Sequence, residues 1–322
     1  MAIGVGIIGT GKHGGRYLRH VADVPRLRVA ALCRRDRVAG ERQAAAVGAR
    51  FHADPEALVA DPAVDLVVLV VPPTLNVRLA TAAARSGKAL LIEKPLAPTV
   101  AECRVIAEEA TRAGVTAMVA HTLRFNGVVR ALREALPSIG RLHAAVLTQR
   151  FEPSELGWLD RRAESGGGIV LHTGVHGFDA LRFLTGREAM RVSAAAGRVA
   201  TRDTEDNFAA TIALDDGILA QVAGSRATVG RGGAIELAGR AGQLVGDHVH
   251  GIAARLVGTT RMELAIGAPA MTVEAVLAEM AAALVQRRTP AITLADGAKS
   301  VAIAEACYRS IASGRAEAVE RW

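Results

Sequence analysis

The sequence predicts two domains: an N-terminal α/β domain over residues 1–120 built on a parallel sheet, then an α+β domain over residues 121–322 with a large, mostly antiparallel sheet. Three observations predict this. A chain of 322 residues suits about two domains of roughly 100–200 residues each. In the first part, short apolar runs alternate with helical stretches, the pattern of parallel strands buried on both faces. Beyond about residue 120 the strands cluster and the helices stand apart, as in α+β folds.

The strands of the first domain are read at 3–8, 27–32, 66–71, 89–92 and 116–119. Asp54 ahead of Pro55 sets a cap before a first-turn proline, and Thr99-Val100-Ala101-Glu102 spells a capping box. Gly87 and Gly114 stand where helices should stop. In the second domain, 127–136 reads as a short helix and 141–150 as a long strand. Residues 151–168 read as a loop rich in Gly, Glu and Arg, and 169–185 as a helix closed by Gly186. Asp215-Asp216-Gly217 marks a hairpin between strands 207–214 and 218–224, and Gly239-Arg240-Ala241-Gly242 marks another turn. Two Ala-rich helical patterns follow, at 273–285 and 295–313.

Composition narrows the function classes. The net charge is +7, from 39 Lys and Arg against 32 Asp and Glu. Residues 1–120 hold 16 basic and 11 acidic residues; residues 121–322 hold 23 and 21. The excess forms no long run, and aromatic residues are only 3% of the chain, so few rings are available to stack on bases and no nucleic-acid partner is expected. A basic N-terminal part suits a phosphorylated cofactor equally well. No apolar run approaches the ~18 residues of a membrane span. Residues 2–9 lack the charged start and long apolar centre of a signal peptide. Cys33, Cys103 and Cys307 are odd in number and lack ligand spacing, which argues against a disulfide scaffold or a Cys-built zinc site. The expectation is a soluble cytoplasmic enzyme with no metal.

Gly9-Thr10-Gly11-Lys12-His13-Gly14 follows the first strand and opens the first helix. Glycines there allow a tight turn and a close approach of backbone to a pyrophosphate, and the helix start offers unpaired N–H groups. A plain strand–turn–helix is the alternative, but the position, within fifteen residues of the start of an alternating pattern, favours a dinucleotide. The second strand should end on the ribose discriminator, acidic for NAD and basic for the 2′-phosphate of NADP. The chain reads Ala31-Leu32-Cys33-Arg34-Arg35-Asp36, and Arg34 and Arg35 precede the acid, so NADP is favoured over NAD.

Glu93-Lys94-Pro95 closes another strand at the edge where ligands of open α/β sheets bind. Only four lysines (Lys12, Lys88, Lys94, Lys299) accompany 35 arginines. A lysine can give up its proton in a partly buried, positively charged site, and arginine cannot. A surface lysine before a turn proline is the alternative; edge, rarity and neighbours together favour catalysis. Gly166-Gly167-Gly168 then leads into the helix with His172, His176 and Asp179, whose i, i+4, i+7 spacing puts all three on one face, fit to move a proton. Thr173 stands where a metalloprotease-type helix needs glutamate, which argues against zinc. His248 and His250 read as surface residues.

With these residues in view, the chain resembles the glucose–fructose oxidoreductase / inositol dehydrogenase / rhizopine-catabolism (Gfo/Idh/MocA) family over nearly its whole length. The markers are the stretch 9–14, Pro72-Pro73-Thr74 before a helix, Gly87-Lys88 leading into Glu93-Lys94-Pro95, and Gly166-Gly167-Gly168 followed by His176. The resemblance implies a Rossmann doubly wound domain followed by a domain with an open-faced sheet that commonly serves in oligomer contacts, here a homodimer or homotetramer. It implies NAD(P)-linked oxidation or reduction of sugars, cyclic polyols or related carbonyl compounds. Lys94 matches the catalytic lysine, with Pro95 in a cis peptide, and His176 matches the active-site histidine. Pro72, Pro73, Asn76, Glu93 and Lys94 join the loop 9–14 as implied cofactor contacts. Two positions depart from the family: His172 replaces the usual aspartate, and Asn76 replaces the usual histidine after the Pro-Pro stretch. Loss of the carboxylate removes an anion that favours protonated Lys94 and His176.

The resulting expectation is hydride exchange between substrate carbon and nicotinamide, with Lys94 exchanging the hydroxyl proton. His176 assists, and His172 tunes it or binds a substrate hydroxyl. Arg124 and Asn126 past the last strand, and Trp158 and Arg162 on the 151–168 loop, are candidate substrate contacts. The alternatives are a non-catalytic dinucleotide-binding sensor, motivated by His172, and epimerisation or elimination through a transient ketone.

Overall fold

The computed structural model describes residues 2–268 and 271–322, and the chain divides into two compact units. The first gathers residues 2–122 with 271–298; the second gathers 123–268 with 299–322. Among the described residues, no helix is long and apolar enough to cross a membrane.

In the first unit, strands and helices alternate: β1 (Ile3–Ile8), α1 (Gly14–Val21), β2 (Leu27–Cys33), α2 (Arg37–Ala46), β3 (Arg50–His52), α3 (Pro55–Ala60), β4 (Leu66–Leu69), α4 (Asn76–Arg85), β5 (Ala89–Glu93), α5 (Val100–Arg112) and β6 (Ala117–Ala120). Every strand pair is parallel, in the order β3-β2-β1-β4-β5-β6. The order reverses between β1 and β4, which makes their carboxyl edge the switch point where ligands of doubly wound sheets bind. Val5, Ile7, Val67, Val68, Leu90 and Leu91 are fully buried, each stabilising the fold by about 1.5–3 kcal/mol through removal from water. The helix starts are as read. Asp54 accepts from the Glu56 N–H, and Thr99 and Glu102 close a reciprocal capping box ahead of α5. β3 escapes the sequence reading because three residues carry no periodic signal.

The second unit holds α6 (Gly127–Ala135), β7 (Leu142–Arg150), α7 (Arg162–Ser165), α8 (Val175–Thr185), β8 (Ala189–Gly197), β9 (Asn207–Leu214), β10 (Leu219–Ser225), β11 (Ala234–Gly239), β12 (Gly242–Asp247), β13 (Ile252–Val257) and β14 (Thr260–Glu263). Its nine-stranded sheet runs β14-β13-β12-β11-β7-β10-β9-β8-β15, with β15 at Glu317–Ala318 and β7–β10 as the one parallel pair among the described strands. One face buries Leu147, Ile212, Val222, Leu237 and Leu244 beneath α6 and α8, whose Val129, Leu132, Phe178 and Leu181 complete the core. The other face presents Ser193, Ala195, Ala209, Thr211 and Gln221, small or polar side chains. The hairpin at 215–217 turns through Asp216 (φ 63°) and Gly217 (φ 76°).

Three boundaries differ from the sequence reading. Two chain-end helices remain, α9 (Thr272–Gln286) and α10 (Leu294–Ser313). α9 belongs to the first unit, where Val273, Val276, Leu277 and Met280 are buried and the helix packs on α1. An apolar stripe shows which side of a helix is buried but not which unit covers it. The loop 151–168 contains a short helical turn at Gly157–Asp160 and α7. The helix 169–185 begins with a π-helical turn, Val170–Gly174, before α8 continues to a left-handed Gly186.

Phe178 has no exposed area and packs edge-on to Phe208 at 6.0 Å between centroids. Phe178→Ala should destabilise the protein by about 3–5 kcal/mol. Urea unfolding followed by tryptophan fluorescence checks this; a cost under about 1 kcal/mol would mean that the second core does not close on this ring.

Candidate active site

The predicted residues fall into two groups, one in each unit. The first group lies on the carboxyl edge of the parallel sheet. Gly9 has φ +97°, and a Cβ there would lie 2.1 Å from the Val70 carbonyl oxygen; a Cβ on Gly14 would lie 1.9 Å from the Gly9 carbonyl oxygen. Side chains are therefore excluded at positions 9 and 14 of the turn from β1 into α1. Gly11 faces open space. The first turn of α1 holds no acidic residue and no side-chain cap; the Gly15 and Arg16 N–H groups donate to the Gly11 and His13 carbonyls, so the helix start offers an anion the positive end of its dipole and the remaining backbone N–H groups of the loop. Thr10 is fully buried: its hydroxyl donates to Gln43 Oε1 at 2.9 Å, and its carbonyl accepts from Arg34 Nη1 at 3.1 Å. These residues fit the pyrophosphate of a dinucleotide. Gln43, on α2, braces the loop; it carried no signal in the sequence.

Glu93 organises this edge. Its Oε1 accepts from the Tyr17 hydroxyl at 2.5 Å and from His13 Nε2 at 2.8 Å, and its Oε2 accepts from the Lys94 N–H at 3.0 Å. Burial pushes the Glu93 carboxyl up, but the His13 imidazole and the Lys94 ammonium outweigh it and hold the group below the usual glutamate range. Burial and the Glu93 charge push the Tyr17 phenol well above its ordinary value, so it remains a donor. Lys94 itself is half-buried, and the Lys94–Pro95 peptide is cis. Asn76 opens α4 just after the turn Pro73–Leu75 that follows Pro72. Its amide donates to the Pro95 carbonyl at 3.2 Å and the Leu96 carbonyl at 3.0 Å. The structure thus gives Asn76 the task of fixing the backbone beyond Lys94, where the sequence reading had it facing the cofactor.

At the end of β2, Asp36 caps α2 by accepting from the Ala39 N–H at 3.0 Å. Arg34 reaches back to Thr10 and Gln43, and Arg35 is exposed. Lys12 is exposed at the loop tip.

The second group surrounds the π-helical turn. Glu205 Oε1 accepts from the Gly168 N–H (3.0 Å), the Val170 N–H (3.3 Å) and the Tyr308 hydroxyl (2.7 Å), while Arg162 Nη2 donates to Oε2 at 3.1 Å. A Cβ on Gly168 would lie 2.2 Å from the Glu205 carbonyl oxygen, so the chain must pass here as glycine. Burial and the Glu205 charge push the Tyr308 phenol well above its ordinary value. Neither Glu205 nor Tyr308 stood out in the sequence. One signal was available: the chain has only two tyrosines, and each donates to a buried glutamate beside a glycine turn.

His172 is buried, its Nε2 donating to the Ser165 carbonyl at 2.9 Å and its ring meeting Trp158 edge-on at 5.5 Å between centroids. The chain itself engages this nitrogen, in a residue expected either to tune His176 or to bind a substrate hydroxyl. His176 is half-buried one turn later. Asp179 is fully buried and accepts a fork from Arg124, with Nε–Oδ2 at 2.9 Å and Nη2–Oδ1 at 2.6 Å. Of the three residues expected on one helix face, His172 is thus held by Ser165 and Asp179 by Arg124. Asn126 caps α6, accepting from the Val128 and Val129 N–H groups, and donates to the His248 carbonyl. These contacts give Arg124 and Asn126 architectural roles where substrate contacts had been expected.

Two further features lie apart from these residues. A concavity of about 820 Å³ along β8, β9 and β10 includes Arg150, Asn207, Ser225 and Arg231 and none of the predicted site residues. His20, Asp23 and Glu274 bring ligand atoms within 4.8 Å of one another, an arrangement explained by the His20–Asp23 hydrogen bond at 3.0 Å between α1 and its exit.

A lowered Glu93 pKa fixes the sign of its pH dependence. The stabilisation is present above the unfolded-state value of about 4.3 and is lost as pH falls through the folded-state value. The stability gap between wild type and Glu93→Gln should therefore shrink as pH is lowered from about 7 to about 3, read by urea denaturation. A gap constant over that range would rule out an ionised, paired Glu93.

Residues 3–121 match the family model described as oxidoreductase family, NAD-binding Rossmann fold, and residues 129–245 match the GFO/IDH/MocA C-terminal domain. A 1,5-anhydro-D-fructose reductase from Ensifer adhaerens is 34% identical over 82% of this chain and 83% of its own. An inositol 2-dehydrogenase from Saccharopolyspora erythraea is 31% identical over 99% of this chain and 96% of its own. The solved aldose-aldose oxidoreductase of Caulobacter crescentus, complexed with glycerol, shares the fold at 22% identity and TM-score 0.91, covering 99% of this chain and 100% of that one. With the doubly wound sheet, the glycine loop and the match over both parts of the chain, this protein belongs to the Gfo/Idh/MocA family of NAD-binding oxidoreductases.

Proposed function

We propose that the protein is an NADP-preferring dehydrogenase or reductase acting on a hydroxyl or carbonyl of a sugar, cyclic polyol or related compound. The observation that carries this is the seating of Lys94: a half-buried amine at the carboxyl end of β5, its backbone fixed on one side by Glu93 and on the other by Asn76. Family relatives named for anhydrofructose reduction and inositol dehydrogenation support the substrate class.

When bound, the nicotinamide accepts or returns a hydride at the substrate carbon. The glycine loop and the start of α1 hold its pyrophosphate, with Thr10 locked by Gln43 beneath. Pro72, Pro73 and Glu93 border the same edge. Lys94 takes the hydroxyl proton during oxidation and returns it during reduction. His176 assists that transfer. His172, committed to Ser165, acts by position, and Trp158 and Arg162 border the substrate from the 151–168 segment. Asp36 is occupied as a helix cap, and exposed Arg35 stands next to it, which favours a 2′-phosphate over a free 2′-hydroxyl. The second unit serves as the substrate-binding and oligomerisation domain, forming a homodimer or homotetramer through the open face of its sheet. A cytoplasmic setting suits three buried cysteines, none of them in a disulfide among the described residues.

Lys94→Ala should lower kcat by about 10²–10⁴-fold on whichever polyol or ketose is turned over, with NADPH affinity retained by fluorescence titration. Retained turnover would remove the lysine from the mechanism, and cofactor binding with no turnover on any polyol or ketose would favour a sensor.

Titration should also show NADPH binding more tightly than NADH, with Arg35→Asp narrowing or reversing the difference. Equal affinities in the wild type would refute the NADP preference.

A further inference from the structure

Arg226 follows β10, and its backbone N–H donates to the Asp206 carbonyl at 2.8 Å, which fixes where its side chain starts. The side chain turns inward to the π-helical turn, where Nε donates to Thr173 Oγ1 at 2.9 Å. Thr173 is the residue after His172 and three before His176. The guanidinium carries five N–H donors, and this bond uses one. Its terminal nitrogens have no hydrogen-bond partner among the described residues and keep access to solvent.

Two inward-facing arginines of the same unit have carboxylates, Arg124 with Asp179 and Arg182 with Glu188 at 2.7 Å, and half-buried Arg150 and Arg255 donate to backbone carbonyls. For Arg226, burial pushes the guanidinium below its ordinary value, and no carboxylate among the described residues offsets it. A guanidinium taken part-way out of water without an anion is unfavourable unless an anion arrives from outside. Arg–carboxylate forks are the geometry that satisfies it best.

We infer that Arg226 is a specificity-determining residue that binds a carboxylate on the substrate, so that the preferred substrate is an acidic polyol, such as a sugar acid or a carboxylated cyclic polyol. The inference rests on the oxidoreductase reading above and deepens it. Thr173 holds Nε and thereby aims the fork. A carboxylate on the terminal nitrogens anchors the substrate beside the turn that carries His172 and leads to His176. A neutral polyol offers only hydroxyls, which exchange water for a weaker contact.

The test uses matched pairs with the purified protein and NADP or NAD: glucuronate against glucose, quinate against myo-inositol, and glucose 6-phosphate as the phosphate arm. Steady-state kinetics give kcat/KM for each, and calorimetric titration of the cofactor-loaded protein gives Kd whether or not turnover occurs. The wild type should prefer the carboxylate member of at least one pair by roughly tenfold or more. Arg226→Gln should reduce that preference to about twofold or less through KM or Kd, and Arg226→Lys should keep part of it, on the ~1.5–3 kcal/mol scale of charged hydrogen bonds. A structural role alone would weaken acidic and neutral members equally. Equal binding of both members by the wild type, a preference unchanged in Arg226→Gln, or a preference for the phosphate alone would each overturn the inference. Acid-selective binding without turnover on any compound would uphold Arg226 and reject the dehydrogenase reading, so the two failures are separable.

Discussion

A buried carboxylate at the end of one parallel strand orders everything on the nucleotide side of this protein. Glu93 is too deeply placed to be satisfied by water, so the chain must bring donors to it. It does so from three places: Tyr17 on α1, His13 in the glycine loop and the backbone of Lys94. The glycine loop, the first helix and the strand that ends at the lysine are thereby tied to one group. Glycine at 9 and 14 is a geometric condition for this turn, since a Cβ at either position would strike the Val70 or Gly9 carbonyl where β1 passes into α1. The second unit repeats the device, with Glu205 collecting Gly168, Val170 and Tyr308 at the head of the histidine-bearing segment. In both cases a glutamate fixes a helix start, and a phenol kept protonated by burial completes its shell.

Local chemistry made much of this fold legible in the sequence. Period-2 and continuous apolar runs marked most strands, and Asp54, Thr99 with Glu102, Gly87, Gly114 and Gly186 marked helix ends, because caps and left-handed stops are decided by residues within one turn of each other. The glycine loop and Lys94 were legible for the same reason: their meaning lies in what immediately precedes them. The residues that hold the candidate site were not. Gln43 acts on Thr10 across 33 positions of sequence, Glu93 on Tyr17 across 76, and Glu205 on Gly168 across 37. Such pairings depend on which strands become neighbours, and although Thr10, Glu93 and Gly168 each stood in a motif, nothing local named the partner. The partnership of Arg124 with Asp179, 55 positions apart, is of the same kind. It changed the reading of both residues.

The scarcity of lysine also looks different with the contacts known. Lys88 donates to the Asp61 and Val64 carbonyls, and Lys299 pairs with Glu188 at 2.8 Å. Both are anchors, so rarity alone does not single out Lys94. Its place at the carboxyl edge does. The arginines divide in a similar way. Arg124 and Arg182 are forks closed by a carboxylate of the chain, the arrangement that makes burial of a guanidinium tolerable, whereas Arg150 and Arg255 donate to backbone carbonyls.

The π-helical turn at Val170–Gly174 has a consequence of its own. Each residue of an α-helix advances the spiral by about 100°, and a π turn holds one residue more than the ordinary register allows. The extra residue is taken up inside the bulge, so the helix beyond it keeps nearly the heading it would have if the segment were one residue shorter. Deleting one residue here would close the bulge and leave the His176 imidazole pointing almost as before, whereas adding one would find no such slack and would swing it by about a quarter turn or more.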